Sequence, residues 1–201
     1  PGLEPFLQKR GARPVKLPTP KYIPNPYKQM KYPGQRVKID VKFVPKACIV
    51  DQQESTQRFQ YTFLDECSRF RYIEAFQEHS TYSSTAFLHH VVKKFPYLIE
   101  CVQTDNGTEF TNRLLPKGSD KPTLFELELK KLGIRHKLIR PYTPRHNGKV
   151  ERSHRKDNEE FYASHRFYSF DDFKAQLAVR ERAYNNFPMR PLSWRSPKQV
   201  L

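Results

Sequence analysis

The chain is 201 residues long, enough for one domain with a sizeable core plus extended segments. Its 36 Lys and Arg against 21 Asp and Glu leave a formal charge of +15, the balance of a protein that meets a polyanion, with DNA, RNA and an anionic membrane surface all open on charge alone. No apolar run approaches the roughly 20 residues that cross a bilayer, and Pro1-Gly2-Leu3-Glu4 starts no signal-peptide core, so a cytoplasmic protein without a membrane anchor is expected.

Residues 1–35 carry Pro1, Pro5, Pro14, Pro18, Pro20, Pro24, Pro26 and Pro33 among Lys, Arg and Tyr, without apolar periodicity. Proline fixes its own φ and lacks an amide donor, so this stretch is expected to be an extended basic linker. A globular core is expected over 36–201. Residues 36–44 alternate polar and apolar, as a strand with one buried face does. Residues 59–65 and 70–76 read as two further strands joined by the tight Glu66-Cys67-Ser68-Arg69 connection, giving an antiparallel meander. Ser80 suits a helix cap, and 85–95 carries Phe87, Leu88, Val91, Val92 and Phe95 at helical spacing, with Pro96 beyond. A fourth strand over 98–104 runs into Asp105-Asn106-Gly107.

A helix over 125–132 is closed by Gly133, and a short fifth strand covers 134–139. A long helix is predicted from about 147 to 162, and another over 171–185 with Asp171 and Asp172 at its positive end. Trp194 and Ser196-Pro197-Lys198 are expected to pack against the domain or end it. Three antiparallel strands followed by alternating helices and strands describe a mixed five-stranded sheet flanked by helices. Cys48, Cys67 and Cys101 form no Cys-x-x-Cys pair and the histidines have no zinc spacing, which argues against a zinc site or a disulfide framework.

Three acids fall where strands or a helix would present them around this sheet. Asp40 lies inside the first strand, on the face of Lys38 and Lys42 and opposite Ile39, Val41 and Phe43. Taken alone it equally reads as a solvent-facing aspartate paired to those lysines, although Asp is disfavoured in strands. Asp105 closes the fourth strand, and ligands recur at the carboxyl ends of strands; Asp-Asn-Gly alone is more often a turn. Glu109 reads first as a helix-start acid, with a metal-ligand role as the alternative. Glu151 shares a helix face with His154 and Arg155, and a plain Glu–Arg surface pair would explain it. Yet it is the lone acid among Arg140, Arg145, Lys149, Arg152, Arg155 and Lys156. Phosphodiester cleavage charges the attacking and leaving oxygens, and two divalent ions held by carboxylates can stabilise both, with cations gripping the nucleic-acid backbone.

The pieces Lys38-Ile39-Asp40, Thr104-Asp105-Asn106-Gly107-Thr108-Glu109-Phe110 and the block from Arg140-Pro141-Tyr142-Thr143-Pro144 through His146-Asn147-Gly148 to Glu151-Arg152-Ser153-His154-Arg155 resemble the integrase core of bacterial insertion-sequence transposases. Retroviral integrases are more distant relatives, and Asp65-Glu66-Cys67-Ser68-Arg69 resembles a turn common in the family. The resemblance covers roughly residues 36–200. It implies a ribonuclease-H-like fold and a catalytic, metal-holding triad of Asp40, Asp105 and Glu151. It also implies two Mg²⁺ or Mn²⁺ ions, and hydrolysis at element ends followed by 3′-hydroxyl strand transfer. Arg140, Arg145, His146, Asn147, Lys149, Arg152, His154, Arg155 and Lys156 form the expected DNA-binding set. The implied partners are double-stranded DNA and further copies of the chain, in the bacterial cytoplasm at the nucleoid. A nuclease that cuts without joining, and an inactive DNA-binding descendant, are the alternatives. Between Asp105 and Glu151 lie 45 residues, more than the family usually has, and Pro116 and Gly118 place the surplus in a surface loop near 114–122. Residues 1–34 are too short and proline-rich for the helix-turn-helix region such proteins carry, so that module is expected to be missing here.

Overall fold

A computed structural model describes residues 30–50, 57–115, 121–139 and 148–201. The expected linker therefore lies almost wholly outside the described residues, as does part of the surplus loop.

Five strands form one sheet: β1 (Val37–Phe43), β2 (Phe59–Asp65), β3 (Arg71–Phe76), β4 (Cys101–Thr104) and β5 (Arg135–Leu138), in the order β3-β2-β1-β4-β5. The first three run antiparallel, with Asp40 opposite Thr62 and Thr62 opposite Ile73. β4 lies parallel to β1, and β5 parallel to β4. The helices are α1 (Thr81–Lys94), α2 (Leu124–Lys131), α3 (Gly148–Asp157), α4 (Phe170–Asn186) and the short α5 (Pro197–Val200). The mixed sheet with flanking helices expected from the sequence is the architecture found.

Period-2 alternation sends the two side-chain sets to different layers. Ile39, Tyr61, Phe63 and Tyr72 meet Phe87, Leu88 and Val91 of α1 and Phe125 and Leu129 of α2. On the other face Ile73 and Ala75 meet Phe161, Tyr162, Phe173 and Leu177. Alternation alone implies that this second face is solvated. Instead β2 is buried along its whole length, and Lys38, Gln60 and Thr62 are buried polar groups. That face carries hydrogen-bonding side chains which α3 and α4 satisfy, so polarity here marks an internal network rather than a surface.

Local chemistry sets the helix ends. Ser80 Oγ accepts the Ser83 amide at 3.2 Å, which starts α1 at Thr81, four residues earlier than the apolar spacing indicates. Thr123 and Glu126 form a reciprocal capping box at α2. The predicted helix over 147–162 is two structures. α3 gives way to a π-helical turn at Asn158–Tyr162, where the Ala163 amide reaches back to the Asn158 carbonyl at 3.0 Å. The extra residue re-phases the chain so that adjacent Phe161 and Tyr162 both turn into the core. β4 is shorter than the expected 98–104, its ladder pairing starting at Cys101, and Leu98 is 90% exposed. There the Glu100 amide bonds the Gly34 carbonyl, and a Cβ on Gly34 (φ +84°) would overlap the Leu98 carbonyl.

The open edge of β3 is closed by side chains of α4. Asn185 accepts the Arg71 amide at 2.9 Å and donates to the Arg71 carbonyl at 2.6 Å, while Glu181 accepts the Ile73 amide. Of the segment expected to pack against the domain or end it, Ser196 and Pro197 are buried, while Trp194 does not pack. Ser193 and Trp194 adopt left-handed backbone angles (φ 55° and 62°), which bury Leu192 and turn the indole outward, 70% exposed. No helix among the described residues is long and apolar enough to cross a membrane.

Candidate active site

β1 and β4 place two carboxylates side by side. Their parallel register pairs Lys38 with Gln103, so two residues further along Asp40 stands level with Asp105, just past the end of β4. Asp105 Oδ1 accepts the Gly107 amide at 3.0 Å, an Asx-type turn that fixes the loop. Asn106 ties the same loop to the end of β5 by donating to the Ile139 carbonyl at 3.0 Å.

Glu109 folds back over this turn. Its carboxylate lies so close to Gly107 that a Cβ there would push it aside. The carboxylate is buried, pairs with His79 Nε2 at 2.9 Å, and leaves Oε2 without a hydrogen-bond partner among the described residues. No helix begins at Glu109, so the helix-start role read from the sequence does not hold; the residue instead contributes a fourth negative charge beside the site.

Burial, then the charge of Asp105, then those of Glu109 and Glu151, push the Asp40 carboxyl up to about 8, against only one backbone hydrogen bond that opposes them. Among strand aspartates this is the opposite of the lysine-paired surface acid that the sequence also allows. Lys38 points instead at buried Glu66, 3.1 Å away, and Lys42 lies over the Tyr162 ring.

α3 runs along the polar face above Asp40. Val150, Ser153 and Asp157 are its buried stripe, while Glu151, Arg152, Arg155 and Lys156 are exposed. Glu151 makes no ion pair with Arg155 among the described residues; it acts on Asp40 through its charge alone. His154 turns inward, with Nδ1 3.4 Å from Asp40 Oδ2 and Nε2 3.1 Å from Thr62 Oγ1. Burial pushes its imidazole down to about 3, so it is neutral. Lys149 donates to the Glu66 carbonyl at 3.2 Å, and burial together with Arg69 lowers its ammonium to about 8. Arg140, Arg145, His146 and Asn147 lie outside the described residues.

Beneath the acids runs a network that sequence patterning does not reveal. Gln60 donates to Thr62 Oγ1 and Asp157 Oδ2, both at 3.0 Å, and accepts from the Tyr162 hydroxyl at 2.5 Å. Asp157 also receives Arg71 at 3.0 Å and Arg180 at 3.1 Å. Its one sequence signal is the i, i+3, i+7 spacing of Val150, Ser153 and Asp157, hidden because two of the three are polar.

The donor set suits a hard divalent cation. The acids are oxygen ligands, and their mutual repulsion is what such an ion relieves. Among the described residues, however, no three His, Cys, Asp or Glu side chains are grouped closely enough to hold one. Asp40 and Asp105 are adjacent, and Glu151 stands apart at the helix surface.

Two family models, both described as integrase core domain, match residues 31–144 and 132–197. No curated protein matches the chain. Among solved structures, the simian T-cell lymphotropic virus intasome in complex with the PP2A regulatory subunit B56 gamma is similar at 18% identity and a TM-score of 0.64. The match covers 88% of this chain and 60% of that one, so the chain spans about three-fifths of that relative's length. The catalytic core domain of BIV integrase is similar at 16% identity and a TM-score of 0.57, over 83% of this chain and 93% of that one. These likenesses identify the ribonuclease-H-like integrase fold, and the family matches extend over the acids and the helix above them. The chain belongs to the integrase core domain family.

Proposed function

We propose that this chain is the catalytic core of a DNA transposase of the insertion-sequence kind, with Asp40, Asp105 and Glu151 as its catalytic acids. The observation that carries the reading is the adjacency of Asp40 and Asp105, whose repulsion adds to burial in raising the Asp40 carboxyl to about 8. A carboxylate pair held in such discomfort is poised for a cation rather than for folding stability.

The reaction has two phosphoryl transfers. In the first, a water oxygen bonds to phosphorus at the element end and the bond to the 3′-oxygen breaks, leaving a 3′-hydroxyl and a 5′-phosphate. In the second, that 3′-hydroxyl bonds to a target phosphorus as a target P–O3′ bond breaks; bond count is conserved and no covalent protein intermediate is needed. Held by the three acids, Mg²⁺ or Mn²⁺ would supply charge neutralisation at the attacking and leaving oxygens. The chain's own residues do the rest. His154 orients Asp40, the Asn106 and Gly107 turn orients Asp105, and Arg152, Arg155 and Lys156 hold backbone phosphates at the exposed face of α3. Double-stranded DNA is the substrate, at the bacterial nucleoid, and handling two element ends calls for several copies of the chain.

The test is to incubate the protein with supercoiled plasmid and labelled pre-cut element-end oligonucleotides in Mg²⁺ or Mn²⁺. Joined products support the transposase reading. Nicks without joining would make the chain a nuclease, and mobility shifts alone a binding module.

A further inference from the structure

The only tryptophan in the chain is displayed rather than buried. Trp194 is 70% exposed at the tip of a loop locked from several sides. The Met189 amide bonds the Arg195 carbonyl at 3.0 Å, the Trp194 amide bonds the Met189 carbonyl at 3.0 Å, and the Arg195 amide bonds the Leu192 carbonyl at 3.1 Å. Leu192 anchors the loop in the core, and Ser196 with Gln199 forms a capping box just after it.

Two adjacent non-glycine residues, Ser193 and Trp194, hold left-handed angles, a conformation that bulky residues avoid. Such strain persists only where the surroundings over-determine it, and it concentrates at binding sites. Here its effect is to aim a large flat ring at solvent.

The chain on either side of the ring carries one sign of charge. After Glu181 the chain has no further acid, while Arg182, Arg190, Arg195 and Lys198 are all exposed. Phe187, seven residues before Trp194 in the chain, is also exposed at 60% and lies under the Lys156 ammonium of α3, 5.7 Å away. Lys156 also pairs with Glu160, so it is shared between the two. Exposed aromatic rings interleaved with arginines are what an unpaired nucleic-acid strand requires, with rings for the bases and cations for the phosphates. A protein partner rich in apolar surface would not need this run of exposed cations.

We propose that the Met189–Arg195 loop is a second DNA contact, in which Trp194 stacks on an unpaired base and Arg190 and Arg195 hold the flanking phosphates. The inference rests on the DNA-processing reading above and adds to it a site for unpaired DNA away from the acids.

Because Trp194 is the sole tryptophan, its emission reports on the site directly. The full chain is titrated with a fluorescein-labelled oligothymidylate and, separately, with a blunt duplex of equal length, reading both label anisotropy and tryptophan emission. Quenching by the single strand that follows the anisotropy curve is expected. Trp194→Ala should weaken single-strand binding about 5- to 150-fold, the worth of stacking one base, with duplex affinity little changed. Trp194→Phe should retain binding close to wild type, which separates stacking from any folding defect. Tryptophan emission that stays constant while anisotropy saturates would overturn the proposal and leave the proposed function standing. Emission that instead follows protein concentration without DNA would also overturn it, by showing that a second copy covers the ring. No anisotropy change with either DNA would sink the proposed function itself.

Discussion

Nδ1 of His154 lies 3.4 Å from Oδ2 of Asp40. On the other side of the ring, Nε2 lies 3.1 Å from Thr62 Oγ1, which also accepts from Gln60. Both ring nitrogens thus face groups inside the domain.

His154 should therefore behave as a positioning residue for Asp40. His154→Ala is expected to lower the cleavage rate at saturating DNA about 10- to 100-fold, the usual cost of losing a group that orients a metal-holding ligand. DNA affinity should be unchanged, and His154→Asn should recover part of the rate. An unchanged rate with weakened binding would return His154 to the DNA-contact role its sequence context suggests.

The acids give one test that reads turnover and one that does not. Asp40→Asn, Asp105→Asn and Glu151→Gln are each expected to abolish cleavage while DNA binding survives. Any of them cleaving at the wild-type rate would remove that residue from the triad. In thermal melts at pH 8, Mg²⁺ or Mn²⁺ at 100 times its dissociation constant should stabilise the wild-type protein by about 2.7 kcal/mol. Asp40→Asn and Asp105→Asn should lose that response. They should also melt above the wild type in chelator, because each removes one of two repelling carboxylates.

Asp157 answers to pH in the opposite sense. Its carboxyl loses solvation in the core, but the charge and hydrogen bond of Arg71, with Gln60 and Arg180, hold it below its ordinary 3.8. A depressed acid stabilises the fold above its unfolded value and loses that contribution as pH falls through the folded one. The wild-type stability should therefore drop below about pH 4, and Asp157→Asn should show a shallower drop in that window. At pH 7, Asp157→Ala should cost about 3–5 kcal/mol, because Arg71 is left buried without its counter-charge. Urea denaturation across a pH series from strongly acidic to neutral measures both, and parallel pH profiles for wild type and Asp157→Asn would discard this account.

How legible all this is in the sequence depends on whether polarity tracks exposure. Where it does, at Phe87, Leu88 and Val91 on α1 or Ile39 and Phe63 in the sheet, periodicity locates the elements and the core face. On the second face the rule inverts. Gln60, Thr62 and Asp157 are buried because they bond one another, so a hydrophobic pattern has nothing to register there. Asp40 illustrates the same gap. Its strand and parity are readable, but Lys38 pairs with Glu66 across the β1–β2 register, and only tertiary structure decides that. Trp194 escapes for a local reason, since nothing in Leu-Ser-Trp-Arg announces two successive left-handed residues.

Salt dependence would separate cations that hold DNA, as proposed for α3, from those that hold the fold. Arg152, Arg155 and Lys156 are exposed on α3, whereas Lys149 is half-buried against Glu66. Removing a cation that neutralises one phosphate should reduce the slope of log affinity against log salt by about 0.9. Arg152→Ala, Arg155→Ala and Lys156→Ala combined should therefore flatten the slope by up to roughly 2.7 on duplex DNA. Lys149→Ala should act mainly on stability, because its ammonium bonds a backbone carbonyl next to the Arg36, Lys38 and Arg69 charges. Anisotropy titrations over a series of salt concentrations, paired with thermal melts, resolve the two effects. A triple variant with the wild-type slope would move the DNA path off α3, and a Lys149→Ala variant that melts normally but binds with a reduced slope would add that residue to it.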